Sequence, residues 1–246
     1  MRFKDVFSII GPAMVGPSSS HTAGAARIGR AARQLLGEMP KKAEVIFYGS
    51  FAATYQGHGT DRAIAGGLLD FATDDLRLPD SIDLAEANGM DLSFRQGAGL
   101  FPHPNTVRLE LTGESGGLSL TGISIGGGNI EIVEIDGFSV KLSGMYPTVI
   151  IHHMDYLGVL AGVTDTMRKG RVNIGHMSLD RKNRSGAALT VLELDERLAP
   201  ELAAELLAMP AVQSVKLIHL EEGVEKHEEP AGDAGMKEEK GKEQQP

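Results

Sequence analysis

Thr148-Val149-Ile150-Ile151-His152-His153 is a short apolar, mostly β-branched run that ends on two histidines. Such a run reads as a strand. Gly158–Lys169 follows, with Val159, Leu160, Val163 and Met167 spaced for one face of a helix. Val172–Asp180 and Ala187–Leu194 read as two strands joined by the polar turn Arg181–Gly186. Pro200–Ala208 suits a helix, with proline early, where its missing N–H costs least. Val212–Leu220 reads as the last strand. The βαββαβ rhythm predicts a split βαβ unit over residues 148–221.

Upstream of this unit, residues 1–142 have a different grain. Met1–Val15 reads as a short helix and Gly24–Leu36 as a helix of mostly small residues. Ala43–Ser50 looks like a strand, Phe51–Gln56 and Asp61–Phe71 suit helix, and Ser81–Asn88 suits another short one. Asn105–Leu111 alternates as a half-buried strand does, and Leu118–Ile125 and Ile130–Ile135 continue in the same way. Hairpins packed by a few helices indicate an α+β fold. The chain is thus read as an α+β protein: an N-terminal mixed α+β domain, then a ferredoxin-like βαββαβ domain.

From Glu221 onward nine acidic residues stand against four basic ones, with almost no large apolar side chains. Such a segment cannot offset its ordering entropy, so residues 222–246 are read as a disordered acidic tail. The tail accounts for about half of the formal net charge of -9. The body is only mildly acidic, which argues against a nucleic-acid partner. No apolar run approaches the roughly 20 residues that span a bilayer. No signal peptide is visible, so the chain reads as soluble and cytoplasmic, with no membrane partner. There is no cysteine. That removes disulfides, thiol nucleophiles and any iron–sulfur cluster held by this chain alone.

Chemistry-bearing residues gather in short loops. Gly16-Pro17-Ser18-Ser19-Ser20-His21-Thr22-Ala23-Gly24 sets four hydroxyls and an imidazole just before a helix. Free N–H groups at a helix start suit a carboxylate or phosphate, so the run reads either as an anion pocket with a proton-transfer group or as an ordinary capped helix. In Gly57-His58-Gly59-Thr60-Asp61-Arg62, glycines flank a histidine and Asp61 stands ready to orient an imidazole; a tight turn before a helix is the competing reading. In Phe101-Pro102-His103-Pro104-Asn105-Thr106, two prolines fix the backbone at His103, for a pocket or for a rigid turn. Ser124-Ile125-Gly126-Gly127-Gly128-Asn129 reads better as a hairpin turn than as a phosphate loop. In the second unit His153, Asp155, Gly158, Val159 and Leu160 lead from strand to helix, and exposed N–H groups there suit an amino-acid carboxylate or are a plain turn. The histidine spacing matches no zinc pattern, so no metal ligand is assigned.

The order Ser18-Ser19-Ser20-His21-Thr22, Gly57-His58-Gly59-Thr60-Asp61 and His103-Pro104-Asn105-Thr106, in a chain without cysteine, resembles the beta chain of the two-subunit iron–sulfur L-serine dehydratases. The second unit resembles the ACT domain that follows in that chain. The resemblance covers residues 1–221. It implies that L-serine loses water and gives pyruvate and ammonium. It implies a [4Fe-4S] cluster carried by cysteines of a partner alpha chain. It implies His21 or His58 as base, with Asp61 orienting an imidazole. Ser18, Ser19, Ser20 and Thr22 would bind the substrate carboxylate, and His103 and Asn105 would complete the pocket. The ACT likeness implies self-pairing and an amino-acid effector near His153, Asp155, Gly158, Val159 and Leu160, with Asn173 and Ile174 from the next strand. Leu157 stands where a proline often precedes the glycine in that loop. Two other readings compete: an amino-acid-binding ACT-type regulator without catalytic activity, and a metal-dependent hydrolase.

Overall fold

The computed structural model describes residues 13–184 and 186–220. The tail and most of the helix expected over residues 1–15 lie outside the described residues; residues 13–15 are not helical.

Ser19–Ala23 forms one π-helical turn that runs straight into helix α1 (Gly24–Leu36). Helix α1 is built from small residues because it lies backbone to backbone against α3 (Thr60–Leu68). A Cβ on Gly29 would stand 2.5 Å from the Ile64 carbonyl oxygen, and one on Gly67 2.2 Å from that of Ala26. Only glycine permits so close an approach. Helix α1 ends where Gly37 adopts a φ of 83° and returns its N–H to the Arg33 carbonyl.

Strand β1 (Lys42–Tyr48) leads through α2 (Gly49–Thr54), α3, a 3-10 turn at Leu78–Asp80 and α4 (Ser81–Ala87) to β2 (Asp91–Gln96). This helical crossover makes β2 parallel to β1, with Val45 opposite Phe94. Strands β3 (Asn105–Thr112), β4 (Gly117–Gly126), β5 (Asn129–Ile135) and β6 (Phe138–Leu142) follow as an antiparallel meander. The sheet order is β2-β1-β3-β4-β5-β6. The triple glycine is the hairpin turn between β4 and β5: Gly127 and Gly128 have φ of 61° and 77°, the two positive angles of a type I′ turn. Strands β2 and β6 are absent from the sequence reading. Both lie at sheet edges, where one face or both meet solvent and the alternation signal fades.

The second lobe runs β7 (Thr148–Met154), α5 (Val159–Lys169), β8 (Ile174–Arg181), β9 (Ala187–Leu194), α6 (Pro200–Leu207) and β10 (Val212–Ile218). All its strand pairs are antiparallel, in the order β10-β7-β9-β8. This is the split βαβ arrangement expected. Period-two alternation sorts its two faces. Val149, Ile151, Leu192 and Leu194 meet Val163 and Met167 of α5 and Leu206 of α6. Ile150, Leu189, Val191 and Ile218 join the core of the first lobe. Burial on both faces explains why residues 148–151 are an unbroken apolar run. An Ile150→Ala change would cost about 2–5 kcal/mol. Polar ties reinforce the contact: the Gln34 side chain donates to the His219 carbonyl and accepts its N–H, at 3.1 and 2.8 Å, and Ser143 Oγ donates to Glu193 at 2.8 Å. Among the described residues no helix is long and apolar enough to cross a membrane.

Candidate functional site

Three loops of the first lobe meet at His21. The π-helical turn sets its ring between hydroxyls. Ser18 caps the turn by accepting the His21 N–H at 3.2 Å. Ser20 Oγ lies 3.0 Å from His21 Nδ1, and Ser18 Oγ lies 3.4 Å from it. On the other side Ser50 Oγ lies 3.2 Å from Nε2. Ser50 arrives by a separate route. Gly49 turns from β1 into α2 with a φ of 56°, and a Cβ there would stand 2.4 Å from the Pro104 carbonyl oxygen. The Ser50 N–H donates to that same carbonyl at 2.7 Å. Thus the Pro104–Asn105 backbone sets the position of Ser50, and Ser50 faces His21.

The buried Phe51 ring stands edge-on to His21 at 5.1 Å, and the exposed His58 ring lies 5.0 Å away. Burial first, and the neighbouring His58 second, hold the His21 imidazole below the ordinary histidine range. It is neutral near pH 7 and therefore able to accept a proton. The N–H groups of Ser19 and Ser20, at the start of the turn, have no acceptor among the described residues. A cleft of 220 Å3 is lined by Gly16, Pro17 and Thr22, which flank the serine run, and by His58 and Arg62 among others. His21 borders it through the His58 ring rather than lining it.

Two of the expected residues have partners within the chain. Thr22 is buried at the cleft wall, and its hydroxyl donates to the His58 carbonyl at 3.3 Å, so it ties two loops together. Asp61 accepts the Arg62 N–H at 2.8 Å and makes no contact with either imidazole among the described residues. The hydroxyls of Ser18, Ser20 and Ser50 orient His21 in its place. His103 is held within its own loop, where its Nδ1 accepts the Asn105 N–H at 3.1 Å. Asn105 donates from its side chain to the Ser124 carbonyl at 3.4 Å. Sequence reasoning missed Ser50, whose only signal is a Gly-Ser pair closing a strand. It missed Arg62 as a cation at the cleft. It also missed the hydroxyls of Thr60 and Ser124, fully buried and without a partner among the described residues, beside His58 and against Gly24.

In the second lobe His153 is a core residue. It is 1% exposed, its Nδ1 donates to the Met154 carbonyl at 2.9 Å, and its Nε2 meets Thr190 Oγ1 at 2.8 Å. Asp155 pairs with Arg181 at 2.8 Å and Asn173 donates to Asp195 at 2.6 Å. Gly158 caps α5 with a φ of 87°, Val159 is buried under the helix, and Leu160 and Ile174 are half-buried. The loop is largely satisfied by its own chain. The described residues contain no group of three His, Asp or Glu fit to hold a metal, and the chain has no cysteine. Without cysteine, the chain offers no thiolate to an iron–sulfur cluster.

Comparison with known proteins covers both lobes. The family model described as serine dehydratase beta chain matches residues 3–88. A probable L-serine dehydratase, beta chain, of Bacillus subtilis (strain 168) is 50% identical over 218 residues, 89% of this chain and 99% of the relative. The L-serine dehydratase, beta chain, of Peptoniphilus asaccharolyticus is 33% identical over 216 residues, 87% of this chain and 97% of the relative. A D-3-phosphoglycerate dehydrogenase of Bacillus subtilis (strain 168) is 27% identical over 199 residues, 80% of this chain but 37% of that enzyme.

Proposed function

The chain belongs to the serine dehydratase beta-chain family, and on that premise we propose that it is the substrate-holding and proton-handling half of a two-chain L-serine dehydratase. The reaction removes the Cα proton and the β-hydroxyl of L-serine, giving aminoacrylate and water. Aminoacrylate tautomerises to an imine, and water adds to it as ammonium leaves, giving pyruvate. In this reading His21 takes the Cα proton. The placement of its imidazole between Ser20 and Ser50 is the observation that carries the proposal, and burial, which lowers its pKa, favours the neutral form a base needs. Hydroxyl partners can rotate to follow the proton, giving a hydrogen bond to one tautomer and accepting one from the other. The free N–H groups of Ser19 and Ser20 hold the substrate carboxylate, with Arg62 supplying a positive charge at the cleft. His58 stands at the mouth, and the His103–Asn105 loop sets the wall.

The poor leaving hydroxyl needs a Lewis acid, which a [4Fe-4S] cluster on the partner alpha chain would supply when bound. The βαββαβ lobe resembles an ACT domain, and from that we take self-pairing through β8, the sheet edge where Met177 and Leu179 stand partly exposed.

The test is anaerobic coexpression with the alpha chain and a pyruvate assay on L-serine, with His21→Ala and His58→Ala measured beside the parent. Loss of turnover in His21→Ala supports the assignment. Near-normal turnover in both variants sinks it.

A further inference from the structure

A second cleft, of 310 Å3, lies between the two lobes, on the face of the second sheet turned away from α5 and α6. The first lobe contributes Glu38, Asp136 and the end of α1; the second contributes His152, Ser214 and Lys216. Strand alternation puts His152 on this face and its neighbour His153 on the other.

His152 Nδ1 is bonded to Ser214 Oγ at 3.1 Å. Its Nε2 is buried and has no hydrogen-bond partner; Asp136 Oδ2, at 3.6 Å, is beyond bonding distance. Buried polar atoms in folded chains are nearly always bonded, so this nitrogen is a ready partner for an incoming group. Lys216 Nζ donates to the Leu36 carbonyl at 3.2 Å and keeps two further donors. In the same cleft, Glu38 Oε1 accepts the Ser115 N–H and Asp136 Oδ1 accepts the Ser119 N–H, leaving each carboxylate one further oxygen.

Donors and carboxylates side by side in one cleft disfavour simple ions. A plain anion meets two carboxylates, and a plain cation meets an ammonium. A molecule carrying both signs satisfies both sets of groups, and the volume of 310 Å3 falls at the lower end of the range for small-molecule sites. We propose that the inter-lobe cleft binds a small zwitterion of the α-amino-acid class, its carboxylate on Lys216 and His152 Nε2 and its ammonium on Asp136 and Glu38. The site is separate from the Asp155–Leu160 loop and from His21. Helix α1 connects it to the latter, starting at the His21 turn and ending at the cleft.

The test is calorimetry on the full chain, which needs no partner and no turnover. The common amino acids are titrated in the millimolar range, with acetate and methylammonium as the two halves of a zwitterion. At least one amino acid gives saturable heat, and neither half does. Lys216→Met and Asp136→Asn each weaken that binding about tenfold or more. Asparagine tolerates the left-handed backbone at position 136, where φ is 49°, and keeps an acceptor for Ser119. His21→Ala leaves the affinity unchanged. The proposal is overturned if no amino acid binds, if acetate binds as tightly, if both cleft variants bind normally, or if His21→Ala abolishes the heat.

Discussion

His21 and His153 each have both ring nitrogens within hydrogen-bond distance of the chain, yet the two sites are chemically opposite. His153 gives Nδ1–H to a carbonyl, which can only accept, so its tautomer is fixed and its Nε2 accepts from Thr190. It is sealed at 1% exposed. His21 faces only hydroxyls, from Ser20 and Ser50, and borders a cleft through His58. Hydroxyls serve either tautomer. Only His21 has a hydroxyl at both ring nitrogens, so only it can exchange one tautomer for the other without losing a bond; Thr190 lets His153 take a proton at Nε2, but the Met154 carbonyl holds the one on Nδ1. What separates the two histidines is the kind of partner rather than the number of partners.

Exchanging each histidine for alanine probes that contrast most strongly. In the two-chain enzyme, His21→Ala lowers turnover by about 10²–10⁴-fold, the usual worth of a positioned base, and leaves the urea midpoint near that of the parent. His153→Ala does the reverse. It leaves a cavity and an unsatisfied Thr190 hydroxyl, costs about 2–4 kcal/mol of stability in urea unfolding, and keeps turnover near normal once folded. If the two variants fall together in both assays, the contrast is wrong.

Ser50→Ala is a gentler change. It removes one hydroxyl from Nε2, worth about 1 kcal/mol, so turnover falls about fivefold with little loss of stability. An unchanged rate would mean that Ser50 does not orient the base.

The smallest effect concerns pH. His21 is held below its ordinary value of 6.5, so the neutral form persists under mildly acidic conditions and the acid limb of turnover lies below that value. By linkage, the same group contributes stability that is present above 6.5 and lost as pH falls through its lowered pKa. His58→Ala removes a like-charged neighbour and opens the ring to water, and both effects raise the pKa. The acid limb of any residual activity then moves to higher pH. A limb that stays in place or moves down would contradict the coupling of the two rings.

The second lobe was legible in the sequence nearly element by element because its central strands β7 and β9 are buried and its helices turn apolar residues to the sheet. The edge strands Asp91–Gln96 and Phe138–Leu142 were not, since pairing with distant β1 and β5 decides them rather than local pattern. At the site the three histidine loops were visible as clusters of unusual residues. Their partners were not: Ser50 reaches His21 across 29 positions, and Asp61 turned to its own neighbour's N–H instead of to an imidazole. Composition names the groups that can do chemistry, and only the packing of α1, α2 and the Pro104–Asn105 backbone decides which of them meet.

The most direct measurement of the account is pyruvate formation from L-serine under anaerobic conditions by this chain alone, by the alpha chain alone, and by the two together. If the chain supplies the base and, having no cysteine, no thiolate for a cluster, it should be silent by itself, and activity should arise only in the mixture. Pyruvate formed by this chain alone would contradict the claim that it holds half of a shared site.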